Sequence, residues 1–308
     1  MEKRNDLNKL KQEFLELGLE LGLINKQKKS DVEYRLSRIG IDIDDTIPSA
    51  YVALTRLEED IYTIYINSND SIYADEMLID ELVFAEIAHI VNDIHQDLYV
   101  YSRSELQNFI KEQRKKHGYP TSEENLTTDL KPSEQGNLHS WPVLGPTLLE
   151  ECICQYISNI MVGKKYNTEL NGKNYAVIGP LIPRYFVCDE NSDYSLKLKA
   201  ADVFSKTLYS GEDSMKKMCK DSLSDCFLDK MFAKYKTREG GEQTLFEIFS
   251  FMGTYNTVLL TKKNFVDGPS QLTGRNYDEN HNKIVSEDTE EKAKRILFSR
   301  LEKELKEN

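Results

Sequence analysis

Phe84-Ala85-Glu86-Ile87-Ala88-His89-Ile90-Val91-Asn92-Asp93 is the stretch on which the fold turns. Around it, residues 75–98 carry Leu78, Ile79, Leu82, Val83, Phe84, Ile87, Ala88, Ile90, Val91 and Ile94. Placed on a helix, these cover nearly every side, and a helix that is apolar all round is a buried one. A charged glutamate is rarely buried without a partner. Glu86 and His89, three residues apart, are therefore the first place where a core helix carries groups that ask for a chemical reason. Position 85 lies one turn before His89 on the same face, and it is alanine.

A second apolar helix is expected from Thr147 to Val162, after Pro146. It reads Leu148-Leu149-Glu150-Glu151-Cys152-Ile153-Cys154-Gln155-Tyr156-Ile157-Ser158, with its core face on 149, 153, 156 and 157. Glu150 and Glu151 differ by about 100° in direction, so the two cannot point to one place.

Together these two stretches resemble the gluzincin class of zinc metallopeptidases, the thermolysin-like enzymes with His-Glu-x-x-His on one helix and a third ligand Glu on a later one. The resemblance is strongest over roughly residues 48–160. It implies Glu86 as the catalytic general base, and His89 and Glu151 as zinc ligands. It also implies Asp93 and Gln155 as the polar residues that support them, and a peptide as substrate. The strand Ile61–Ile66 would be the sheet edge along which extended peptide lies.

The departure falls on the first ligand, since the motif is Ala85-Glu86-Ile87-Ala88-His89. Catalytic zinc takes three protein ligands and a water, and His89 with Glu151 makes two. Glu81 is one turn upstream, about 6 Å along the axis, too far to stand in. His95, six residues past His89, points to another side of that helix. Structural zinc is worth on the order of 10–16 kcal/mol in small peptides, and a missing ligand removes a large share of that. Zinc is therefore expected to be weak or absent, and hydrolysis impaired. Ala85 marks either a degenerate pseudo-enzyme or an inactivated hydrolase. The competing class is a non-catalytic interaction protein that uses the same cleft to bind a partner.

Other chemistries lack their parts. A ferritin-like di-iron site needs a second Glu-x-x-His, and the sequence has none. Cys152 and Cys154 lie in an apolar helix, where thiols are inert. The five cysteines form no CxxC pair and read as reduced thiols. Tyr175, Tyr185, Tyr277 and His281 are conceivable oxyanion donors, with nothing to choose among them.

Working outward, residues 4–25 show helical spacing, with an alternating end at Leu17–Leu23. Residues 32–68 read as β-rich, with strands at 51–55, 61–66 and within 34–43. A polar helix is expected from Arg103 to His117 and a loop from Gly118 to Ser140, closed by Trp141 and Pro142. Helices then follow to about Tyr255, a loop covers Leu260 to Asn282, and a last helix starts near Asp288. The expected fold is α+β and zincin-like: a small twisted sheet, a buried motif helix and a mostly helical C-terminal half. Its segments are 1–100, 101–142 and 143–308, integrated into one peptidase-like unit.

The chain has 308 residues and a net charge of −12. That acidity argues against nucleic acid as partner and leaves a peptide or protein ligand. No signal-like apolar segment opens the sequence, and Ala176–Val187 is too short to span a bilayer. The expectation is a cytoplasmic protein with no membrane partner. Oligomeric state is not legible in the sequence.

Overall fold

The computed structural model describes residues 7–48, 52–70, 75–98, 100, 103–118, 144–166, 193–266 and 287–307. Among the described residues the fold is mixed α+β, mostly helical with one three-stranded sheet. Two compact units interleave along the chain, cutting across the segments read from the sequence. The first draws on Met1–His95, Glu151–Ser195 and Lys216–Phe227, the second on Gln96–Glu150, Leu196–Met215 and Leu228–Asn308. The stretch Ala176–Val187, Trp141, Pro142, His139, His281, Tyr175, Tyr185 and Tyr277 lie outside the described residues, as does the loop expected after Gly118.

In the first unit, helix α1 (Lys9–Glu20) buries Leu10, Phe14 and Leu15 on one stripe. The alternation at Leu17–Leu23 does not become a strand. The helix runs through Glu20, and Gly22 at φ +69 turns the chain away. Helix α2 (Lys29–Ser37) leads into strand β1 (Ile39–Asp44), followed by β2 (Ala53–Glu58) and β3 (Ile61–Asn67).

The strand order is β1-β3-β2, with β1 parallel and β2 antiparallel to β3. The reading of residues 61–66 as a sheet edge is corrected: β3 is the central strand and β2 an edge. The reason is in the residues. Tyr62, Ile64 and Ile66 of β3 are buried, whereas Arg56, Leu57 and Glu58 of β2 are exposed, and charged, exposed residues are what protects a free strand edge. The β2–β3 connection is Glu59-Asp60, both at positive φ (47° and 69°), the twist that a two-residue hairpin needs. Arg38 holds Asp60 through its backbone oxygen at 2.7 Å and its carboxylate at 3.3 Å.

The buried helix expected over 75–98 is two helices, α3 (Glu76–Val91) and α4 (Asp93–Leu98). Asp75 caps the first, accepting from the N–H groups of Met77 and Leu78. Asn92 ends it: the side-chain amide donates to the carbonyls of Ala88 (2.8 Å) and His89 (3.0 Å), and its oxygen accepts from the His95 N–H (2.9 Å). A side chain that replaces backbone partners in this way competes with the helix. Phe84 meets Phe14 edge-on, with ring centroids 6.1 Å apart.

Helix α6 (Leu144–Lys165) carries the second motif and extends beyond Thr147–Val162 at both ends. Pro146 sits in its first turn, where a missing N–H costs nothing.

The second unit contains α5 (Glu105–Lys116), α7 (Asp193–Leu208), α9 (Phe227–Tyr235), α10 (Gly241–Val266) and α11 (Glu287–Lys306), while α8 (Ser214–Ser222) belongs mainly to the first. Its core centres on Phe109, edge-on to Phe232 and Phe249. The loop expected from Leu260 begins later, because α10 runs to Val266 and no Gly or Pro interrupts 254–267. Ser104 stands at the start of α5 with φ 60 and no capping bond. Asp97 takes that role from α4, accepting from the N–H groups of Glu105, Leu106 and Gln107. Burial pushes the Asp97 carboxyl up, and those three bonds oppose it. Asp97→Ala is expected to cost about 2 kcal/mol, read as a lower urea midpoint with an unchanged slope.

Among the described residues no helix is long and apolar enough to cross a membrane.

Candidate functional site

The two motif helices meet in the first unit. On α3, Ala85, Glu86 and His89 are half-buried in a helix otherwise largely buried. His89 Nε2 lies 3.8 Å from Glu151 Oε2 on α6. That is beyond hydrogen-bond length. Two donors of one tetrahedral zinc stand roughly 3.3–3.5 Å apart, so the pair is a few tenths of an ångström wider. The two side chains are 24% and 37% exposed, which leaves the pair open to solvent.

Glu86 is held from the sheet. Thr55 Oγ1, on edge strand β2, donates to Glu86 Oε2 at 2.6 Å. The sequence offered no signal for Thr55: a threonine in a strand, 31 residues from its partner, matches any strand residue. Its bond ties the carboxylate of the Glu-x-x-His motif to β2.

Asp93 follows the break at Asn92 and begins α4. It is fully buried and accepts from Ser222 Oγ at 3.1 Å. Gln155, one turn after Glu151 on α6, donates to Glu81 Oε1 at 2.6 Å and to Asn159 Oδ1 at 3.0 Å. Ser158 Oγ adds a bond to the Glu81 backbone oxygen at 2.6 Å. Glu81 is 1% exposed, and its Oε2 has no hydrogen-bond partner. Burial pushes its carboxyl well above the ordinary glutamate value, with the Gln155 bond opposing. An ionised carboxylate there would bear a desolvation penalty of several kcal/mol, against about 1–3 kcal/mol for one unsatisfied neutral group. The protonated acid is the cheaper form.

His95 stands in α4, with Nε2 3.2 Å from Tyr62 Oη. His117 is exposed and stacks on Phe246 at 4.8 Å. Cys152, Cys154 and Cys219 are buried, and burial pushes the Cys219 thiol well up, away from reactivity.

As a metal centre the donor set is short. Ala85 offers no donor atom, and among the described residues no group of three or more His, Cys, Asp or Glu side chains is placed to hold a metal ion. Catalytic zinc does not fit the residues present. No protein-family model, curated protein or solved structure matches this chain.

Proposed function

We propose that this chain is a gluzincin-like peptidase scaffold whose metal centre is one imidazole short, and that it binds peptide with cleavage impaired. The observation that carries the reading is the 3.8 Å approach of His89 and Glu151 from two separate helices, one turn past an alanine. In an intact centre His89 and Glu151 are two zinc ligands, and position 85 supplies the third. Glu86, fixed by Thr55, is the general base. Among the described residues β2 is an edge strand, the kind of edge to which an extended peptide can add. The chain is a cytoplasmic pseudo-enzyme in this reading: five cysteines with no CxxC pair suit a reducing compartment.

The test is Ala85→His. The variant is expected to hold one zinc per chain by metal analysis after dialysis, where the parent holds little. It is also expected to hydrolyse a mixed fluorogenic peptide library. Adding Glu86→Gln should abolish hydrolysis and keep the zinc. An Ala85→His protein that folds and binds no zinc overturns the reading.

A further inference from the structure

Glu81 and Gln155 stand one layer below the site. Glu81 is one turn before Ala85 on α3, and Gln155 is one turn after Glu151 on α6. Their bond is buried and joins the two helices that carry His89 and Glu151. We propose that Glu81 is a positioning residue carried as a neutral carboxylic acid, and that its bond to Gln155 sets the spacing of His89 and Glu151. The proposed function supplies only the identity of the site being positioned; the cross-link stands without it.

The surroundings of Glu81 favour the neutral form. Helix α6 brings Gln155 to its carboxyl and Ser158 to its backbone oxygen, with Asn159 behind Gln155, all uncharged. Its charged neighbour in sequence, Asp80, is engaged by Lys165 and Tyr166, and Lys165 also pairs with Glu13. Burial raises the folded pKa above the unfolded one. The stability Glu81 contributes is therefore fully present below the unfolded glutamate pKa. It drains away as pH rises from there through the folded value.

Two measurements test this. The first is the carboxyl-carbon NMR titration of the native protein. The Glu81 resonance is expected to stay at its protonated position after exposed glutamates have titrated; a Glu81 that titrates with them overturns the proposal. The second is the pH profile of melting temperature. Glu81→Gln, a neutral mimic of the same shape, is expected to match the parent below about pH 4 and to gain on it as pH rises from there. It should leave the His89 ring resonances at neutral pH unmoved, whereas Gln155→Leu should shift them. Equal pH profiles, or His89 resonances indifferent to Gln155→Leu, overturn it. If Gln155→Leu fails to fold, the titration and the Glu81→Gln profile decide. Failure here leaves zinc uptake by Ala85→His untouched, so the two readings fail separately.

Discussion

Asp80→Ala is expected to destabilise the protein by about 3–5 kcal/mol, the cost of leaving a buried ionic partner unmatched. Asp80 is 1% exposed. Its Oδ2 lies 2.7 Å from Lys165 Nζ and accepts from Tyr166 Oη at 2.5 Å. Lys165 also reaches Glu13 at 2.5 Å and sits over the Phe84 and Tyr166 rings. One ammonium thus ties α1, α3 and the end of α6. Burial alone would lower the Lys165 pKa, but the bonds to Asp80 and Glu13 outweigh it and hold it above the ordinary lysine value. A raised lysine pKa means the contribution is complete below the unfolded value and lost as pH rises through the folded one. The whole effect is therefore present at neutral pH. Alanine removes the partner and strands the Tyr166 hydroxyl. Asp80→Asn should cost less, since an amide oxygen still accepts from Tyr166 but does not balance the ammonium. The double variant Asp80→Leu, Lys165→Met should recover much of the loss, because it deletes both charges together. Urea melts at neutral pH measure all three; a loss below about 1 kcal/mol for Asp80→Ala would show the pair to be solvated.

What the sequence made legible, and what it hid, follows from distance along the chain. Helix α3 announced itself because Leu78 to Val91 is almost continuously apolar. Its end did not: Ile94 and Leu98 prolong the apolar pattern past Asn92, and the break is made by side-chain bonds of Asn92 to backbone. Periodicity does not register such competition. The richest β segment, Ile61–Ile66, was read as an edge, yet β-branched density on both faces marks a central strand. The polar Thr55-Arg56-Leu57-Glu58 run marks the edge, in keeping with how proteins protect free strand edges. Glu86, His89 and Glu151 could be singled out because each sits in a local pattern: Glu and His three apart on an apolar helix, and a glutamate entering another. Gln155 is named in the sequence by its place four residues after Glu151, but its partner Glu81 lies 74 residues away, as Thr55 lies 31 from Glu86, and residue type carries no signature of a partner at that range. Glu81 lies too far along the helix to replace the missing ligand. What its position beside Gln155 does, holding two helices together, became visible only once α3 and α6 were placed side by side.

Glu304→Ala is expected to cost about 3 kcal/mol, at the lower end of the buried-pair range, and to loosen the last helix first. Glu304 on α11 is fully buried. Its Oε2 accepts from Arg238 Nη2 at 2.7 Å and lies 3.9 Å from Arg300 Nη1. Arg300 in turn reaches Glu247 Oε2 at 3.2 Å and Thr244 Oγ1 at 2.7 Å. This network fastens α11 to α10 and to the turn that precedes it. Arg238 packs over the Tyr235 ring at 5.0 Å, and burial pushes the Tyr235 phenol up. Arg238 is 28% exposed, so it recovers some hydration when Glu304 is lost, which keeps the loss at the lower end of that range. Arg300, 13% exposed, has less recourse and keeps Glu247. Glu304→Gln retains an acceptor and should cost about half as much. Glu304→Ala with Arg238→Met should cost less than the two single losses added together, because the second change removes the charge that the first left unmatched. Hydrogen exchange distinguishes this from a uniform loss: amides of α11 at 291–306 should lose protection in Glu304→Ala while those of α3 keep theirs. Equal loss in both helices would mean that α11 unfolds only with the whole chain.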